Sequence, residues 1–444
     1  MKYIYGLNIS GQSIIKYFLS NHILFFAWDD DKQRRKEVKT KYIGIEFVHP
    51  EDLNWSQISE AFVSPGIDFN IKSLSKSKHF KTSLYRDLEL YSQFTKNTKI
   101  IAVTGTNGKS TTVKLIGEML KSNKLDCYVG GNIGSPLMDV YNKKIISNYH
   151  VVELSSYQLE AAPSFKSFIS ILLNISDDHQ DRYKSLIDYA RTKEKILNCK
   201  EIRYGIISVD DDFCREIYEK NTQLENLIPF SINQKITSGV SVVDDKIYDN
   251  YFERKSYSLE EKNSSLQGRY NNQNILVTYI VCKILNLDFN KFFSTIKNFE
   301  GLPHRLEHVC DNHECLVINN SKATNIDSSI NSIEIYENVF LILGGRIKNS
   351  DFSIFNRVNK RVKKCFVIGE STELIFEQVS NYFQSYKCFT LNKAIDQIFM
   401  ELLNFGSKVT ILLAPACSSF DQFKSFEERG NKFKEIIMTK FNQQ

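Results

Sequence analysis

Ile101-Ala102-Val103-Thr104-Gly105-Thr106-Asn107-Gly108-Lys109-Ser110-Thr111-Thr112, followed by a helical pattern over 113–120, places strand, glycine-bearing loop, Lys-Ser-Thr and helix in immediate succession. That order aims backbone N–H groups and a helix N-terminus at phosphate oxygens. In such a loop Lys109 neutralises β/γ-phosphate charge, and the Ser110 or Thr111 hydroxyl reaches Mg²⁺. The usual G-x-x-x-x-G-K spacing would put glycine at position 103, where this chain has Val103. The loop is therefore a compact variant, Gly105-x-x-Gly108-Lys109, and it predicts nucleoside triphosphate binding.

Outward from the loop, strand-like runs recur at 2–7, 23–28, 99–104, 150–154, 169–174, 338–343, 364–368 and 409–413, with helical patterns between them. Most are continuously apolar, as strands covered on both faces should be, so the expected class is α/β with mainly parallel sheets. The polar stretch at 92–98 reads as a linker, and Glu300-Gly301-Leu302-Pro303 breaks a helical segment. These divide the chain into expected domains at 1–93, 94–302 and 303–444. Between 229 and 266, alternation around Val240, Val242, Val243, Ile247 and Tyr248 predicts short antiparallel strands.

Glu153 stands at the C-terminal end of a predicted strand, where α/β sites open, and a carboxylate there suits a hard cation such as Mg²⁺. The next strand ends in Asn174-Ile175-Ser176-Asp177-Asp178-His179, so His179 sits among acids at a second strand end. Lys193 and Lys195 lie in a helical pattern, and spacing alone raises neither above a solvated surface charge.

Composition narrows the partners. With 57 Lys+Arg against 52 Asp+Glu in 444 residues, the net charge of +5 supplies no basic stripe for nucleic acid. No apolar run approaches the ~20 residues that cross a bilayer, and the first residues lack the order of a secretory signal, so a cytoplasmic protein without a membrane anchor is expected. The nine Cys are scattered without a CxxC pair and read as reduced, mostly buried thiols.

Taken together the motifs resemble those of the Mur ligases, nearly end to end. The resemblance rests on Ser64-Pro65-Gly66, the loop at 105–111, Gly131-Asn132-Ile133-Gly134, Glu153 to Glu160, and Asp178-His179-x-Asp181-Arg182-Tyr183. It continues through Gly268-Arg269-Tyr270-Asn271-x-x-Asn274, Gly301-Leu302-Pro303-His304-Arg305, Asn319-Asn320-Ser321-Lys322-Ala323-Thr324 and Leu343-Gly344-Gly345. It ends on Pro415-Ala416-Cys417-Ser418-Ser419-Phe420-Asp421. The Ser-Pro-Gly turn and this closing motif point within the family to the members that add D-glutamate to UDP-N-acetylmuramoyl-L-alanine.

The resemblance implies a Rossmann-like domain for the UDP-linked substrate, a central ATPase-type domain and a Rossmann-like C-terminal domain that closes over ATP and the amino acid. It implies an ATP-dependent ligase of cell-wall synthesis that works as a monomer through an acyl phosphate. The alternative is a Mur or folylpolyglutamate-type amide ligase with a different amino acid. Lys109 and the loop would hold ATP with Asn271, Asn274 and Arg305; Ser110 and Glu153 would hold one Mg²⁺. A second Mg²⁺ would be held by His179 and a CO₂-derived carbamate, for which the family's spacing selects Lys193. The UDP-linked substrate would meet Asn8, Ile9, Ser10, Asp29, Asp30, Ser64, Pro65, Gly66, Asn132 and Gln158. D-glutamate would meet Lys322, Thr324, Lys348, Ser419 and Phe426. Three positions depart from the family pattern: Tyr270 stands for His, Asn320 for Asp, and Arg346-Ile347 for an Asp and a small residue.

Overall fold

The computed structural model describes residues 1–95, 97–178, 182–348 and 351–442, and among them twenty strands form three sheets. The first sheet holds β1 (Lys2–Tyr5), β2 (Phe25–Trp28), β3 (Glu46–Phe47), β4 (Glu60–Val63) and β5 (Ser83–Tyr85). Its order is β3-β2-β1-β4-β5, and every pairing is parallel.

The second sheet holds β6 (Lys99–Thr104), β7 (Cys127–Gly131), β8 (Tyr149–Glu153), β9 (Ile169–Leu172), β10 (Tyr204–Ser208), β11 (Leu227–Ser231), β12 (Val240–Val243), β13 (Lys246–Asp249) and β14 (Lys255–Ser258). The order is β14-β13-β12-β11-β10-β9-β6-β8-β7. It is parallel except for β12-β13-β14, the antiparallel segment expected from the alternation. Ile100, Ile101, Ala102 and Val103 of β6 are all buried, which explains their unbroken apolar run. The chain leaves β6 for β7 on one flank and reaches β9 on the other. That reversal of strand order makes the carboxyl end of β6 the place where a parallel sheet opens a crevice.

The third sheet holds β15 (Glu307–Asp311), β16 (Cys315–Asn319), β17 (Val339–Gly344), β18 (Val362–Ile368), β19 (Gln384–Phe389) and β20 (Val409–Leu413), ordered β15-β16-β20-β17-β18-β19. Only the β15–β16 pair is antiparallel.

Packing gathers the chain into two compact units: 1–175 with 187–258 and 274–295, and 176–186 with 259–273 and 296–444. The first two sheets share the first unit. Segments 259–273 and 296–302, read from sequence as part of a central domain, pack with the third sheet. The expected linker at 92–98 begins later than read, because the helix Asp87–Phe94 runs through its first residues. That helix carries Leu88, Leu90 and Tyr91 into the interior, and burial there outweighs the polar composition that marks a linker. Among the described residues no helix is long and apolar enough to cross a membrane.

Candidate functional site

The loop after β6 is shaped by two glycines. Gly108 adopts φ +87° as the residue before the helix Lys109–Ser122. Gly105 has φ +150°, and a Cβ there would lie 2.9 Å from Leu173 Cβ. A side chain at either position would disturb the turn that presents the amides.

Asn174, just beyond β9, holds the loop. Its Oδ1 accepts from the Thr106 and Asn107 amides at 3.1 and 2.8 Å, and its Nδ2 donates to Asn107 O at 3.0 Å. Its backbone carbonyl takes a further bond from the Thr106 amide at 2.9 Å. Sequence reading passed over Asn174 as a strand end; the signal was its place at the tip of the strand that lies beside β6.

Lys109 Nζ donates to the carbonyls of Gly105 and Thr106 at 2.9 and 2.8 Å. Ser110 Oγ donates to Glu153 Oε2 at 2.5 Å, and Asn132 Nδ2 donates to Glu153 Oε1 at 2.9 Å. Glu153 is 3% exposed, so its carboxylate is withdrawn from bulk water and set by these two neighbours. Hydroxyl and carboxylate oxygens at a helix N-terminus form a donor set that fits Mg²⁺, which takes one or two carboxylates and completes its shell with water and phosphate.

Of the two candidate lysines, Lys193 is the interior one. It is 1% exposed, its Nζ donates to Gly105 O at 2.8 Å, and the amine lies 4.6 Å from the centre of the Tyr189 ring. Lys195 instead points outward, donating to Glu160 O at 2.7 Å. Leu186–Glu194 is a helix with Tyr189, Ala190, Thr192 and Lys193 buried, so register separates the two amines. Asn274 accepts at Oδ1 from Thr112 Oγ1 at 2.9 Å, tying its helix to the one that follows the loop.

The candidate substrate residues near the first sheet divide into two kinds. Ile9 is exposed, and Asn8 caps the helix Ile9–Ser20 without a side-chain bond. Ser64 Oγ donates to Gly6 O at 2.9 Å and pins the Ser-Pro-Gly turn to the end of β1. Asp29 and Asp30, by contrast, are spent within the domain. Asp29 accepts the Leu7 amide at 2.6 Å; Asp30 accepts from the Tyr5 hydroxyl at 2.8 Å and from the Trp28 indole at 2.9 Å.

Gln158 is also turned inward. Its Oε1 closes a capping box with Ser155, and its Nε2 donates to Asp87 Oδ1 and Oδ2, each at 3.3 Å. Burial raises the pKa of Asp87 above its ordinary range, opposed by bonds from Gln158 and Ser10. Beside it, the fully buried Arg86 donates to the carbonyls of Val63, Ser64 and Ile67 at 3.2, 2.7 and 2.9 Å and pairs with Glu160. This dipeptide, unread in the sequence, supports both the Ser-Pro-Gly turn and the helix after Glu153.

In the second unit, Asn271 Nδ2 donates to Gln267 O at 3.0 Å. Arg305 sits between His304 and Leu306, both at positive φ. Lys322 Nζ lies 4.0 Å from the centre of the Phe426 ring. Lys348 pairs with Asp178 at 3.0 Å, while Ser419 is buried and Thr324 half-buried. Thus Lys322 meets Phe426, whereas Lys348 is engaged by an acid. His179 lies outside the described residues.

Two of the sequence departures have local explanations. The Asn320 amide donates to Ser332 on the helix Ile326–Ile333, a neutral partner that needs no charge. Arg346 forms a two-point ion pair with Glu370, at 2.9 and 3.3 Å, and its backbone pairs with Ser418. Nothing described accounts for Tyr270.

The profile of the Mur ligase middle domain matches residues 103–282. A UDP-N-acetylmuramoylalanine–D-glutamate ligase of Rickettsia bellii is 34% identical over 440 residues, covering 98% of this chain and 97% of that one. One of Wolbachia pipientis is 35% identical, covering 97% and 94%. Among solved structures, UDP-N-acetylmuramate-alanine ligase MurC of Thermotoga maritima superposes with a TM-score of 0.60 at 16% identity, covering 99% of each chain. MurF ligase of the same organism, solved with ADP, gives 0.60 at 14% identity over 86% of this chain and 90% of that one. At such identities the structures speak for the fold alone.

Proposed function

The chain belongs to the Mur ligase family, and from that premise we propose that it adds D-glutamate to UDP-N-acetylmuramoyl-L-alanine at the expense of ATP, in peptidoglycan synthesis. The observation that carries the reading is the meeting, at the carboxyl end of β6, of the phosphate loop, the Ser110–Glu153 pair and the buried amine of Lys193. Near-full-length relatives bearing that enzyme's name support the choice of amino acid. We propose the three functional domains at 1–93, 94–302 and 303–444, acting in the cytoplasm, where ATP and UDP-linked precursors are made.

A carboxylate is a poor electrophile, so joining it to an amine needs a better leaving group. The alanyl carboxylate attacks the γ-phosphorus of ATP and ADP leaves. The amine of D-glutamate then attacks the acyl carbon, and the tetrahedral adduct expels phosphate as the nitrogen gives up a proton. Phosphoryl transfer asks for positioning and charge neutralisation more than for covalent help. The Thr106 and Asn107 amides are engaged by Asn174, which fixes the loop so that the N-terminal turn of the helix Lys109–Ser122 needs little reorganisation to face phosphate. Lys109 exchanges its loop carbonyls for phosphate oxygens, and Asn271, Asn274 and Arg305 serve the nucleotide.

Ser110 and Glu153 would hold one Mg²⁺, and His179 with a carbamylated Lys193 a second. Bound there, the cations offset the repulsion between two anionic oxygens. The burial of Lys193 beside the loop supports the carbamate, since addition of CO₂ needs a neutral amine and desolvation disfavours the ammonium. Ser64, Pro65, Gly66, Asn8, Ile9 and Ser10 receive the UDP-linked substrate. Asp29, Asp30, Asn132 and Gln158 shape that site through the partners described above. Lys322, Thr324, Lys348, Ser419 and Phe426 receive D-glutamate, for which cationic and hydroxyl donors are suited.

The deciding experiment follows ADP release with UDP-N-acetylmuramoyl-L-alanine while D-glutamate, L-glutamate, meso-diaminopimelate or L-alanine is offered. Release that depends on D-glutamate is expected. Equal or faster release with another amino acid would assign the chain to a different amide ligase of the same fold.

A further inference from the structure

Arg429, in the helix Phe426–Asn442, is 1% exposed and among the largest fully buried side chains. Its Nε donates to Ser321 Oγ at 3.0 Å, and its Nη2 donates to Ser321 O and Cys417 O at 2.9 and 3.1 Å. Nη1 has no hydrogen-bond partner among the described residues. It lies by Gly345, where an added Cβ would come within 3.2 Å of it. Among the described residues, every acceptor that Arg429 bonds is neutral. The acid that acts on it from further off, Asp421, already accepts the Glu370 amide at 3.0 Å. Burial pulls the guanidinium pKa down to about 10.

A buried cation with no carboxylate in hydrogen-bond contact is costly. Such a group is tolerated where an anion will arrive. The turns that Arg429 holds are those that carry the amino-acid residues of the reading above, on which this inference rests. Ser321 precedes Lys322, and Ser321 Oγ donates at 2.8 Å to the backbone carbonyl of Phe426, the residue whose ring centre lies 4.0 Å from the Lys322 ammonium. Cys417 leads into Ser418 and Ser419, and Ser418 pairs with Arg346 next to Gly345.

We propose that Arg429 is a positioning residue that makes the amino-acid site selective for a dicarboxylate: it sets the Lys322 and Ser419 turns and supplies the interior positive charge that the substrate's anionic groups offset. The D-glutamate side chain, with a second carboxylate, gains from that charge. The D-glutamine side chain, of the same shape and neutral, does not.

The test compares full-length wild type, Arg429→Gln and Arg429→Lys, with D-glutamate and D-glutamine as acceptors and ADP release as readout. Arg429→Gln should raise KM for D-glutamate by about tenfold, leave KM for ATP and for the UDP-linked substrate within about twofold, and cut the preference for D-glutamate over D-glutamine by about tenfold. Arg429→Lys keeps the charge and should keep that preference even where its KM rises. Unchanged preference in Arg429→Gln, or equal loss for all three substrates, would overturn the proposal in favour of a purely structural arginine. Should Arg429→Gln fail to fold, Arg429→Lys decides: loss of the preference with the charge retained would overturn it. A wild type that adds no D-glutamate would defeat the functional reading itself, a result distinct from any change confined to the variants.

Discussion

At the scale of single residues, the site turns on which polar groups are already spent. Lys193 faces the loop from inside while Lys195, two positions on, faces out, so the pair serves as an internal control. Lys193→Ala should lower kcat by a hundredfold or more on the order of a lost catalytic ligand, with partial recovery on adding a short carboxylate such as acetate; Lys195→Ala should change turnover little. Steady-state rates with and without acetate check both. Asn174→Ala removes the side-chain clamp on the Thr106 and Asn107 amides and should raise KM for ATP by about tenfold, measured by the same assay. The phosphate loop and Glu153 were legible because their chemistry is written in local order. Asn174 and Arg86 were not, because each acts through residues far away in sequence. Asn174 reaches back 67 positions to Asn107, and Arg86 forward 74 to Glu160.

Elements show the same division. Strands buried on both faces, such as β6, β9 and β20, announce themselves as apolar runs. β19 (Gln384–Phe389) is an edge strand with only Cys388 buried and carries too much polarity to stand out, and β7 (Cys127–Gly131) ends in two glycines that read as a turn. Those glycines have a reason. Gly131 has φ +110°, and a Cβ there would lie 2.3 Å from Glu153 O, at the end of the neighbouring β8. Gly131→Ala should therefore push β7 from β8 where Glu153 is held, costing ~2–3 kcal/mol of stability. Thermal melting measures that cost, and Mg²⁺ titration of activity should show a higher half-saturating concentration than wild type.

For the whole molecule, acid sensitivity and chain connectivity are the properties that packing adds. His150 in β8 is buried beneath the Tyr91 hydroxyl, 2.7 Å from its Nδ1, and burial lowers its pKa from 6.5 to about 4. The folded protein thus resists a proton that the unfolded chain accepts. Its contribution is intact above about pH 6.5 and is lost as pH falls towards 4. Melting temperature should decline across that window, and His150→Gln should flatten the decline. The three-sheet plan was legible from the succession of runs, but the grouping into two units was not, because it depends on where 176–186 and 259–273 pack. The chain crosses between the units at 175/176, 186/187, 258/259, 273/274 and 295/296. During synthesis the first unit is therefore incomplete until Thr295 has left the ribosome, although most of its residues emerged long before. A nascent chain stalled after Ser258 should remain open to protease, and one stalled well beyond Thr295 should be protected, with the apolar surface that 274–295 will cover left to chaperones in between.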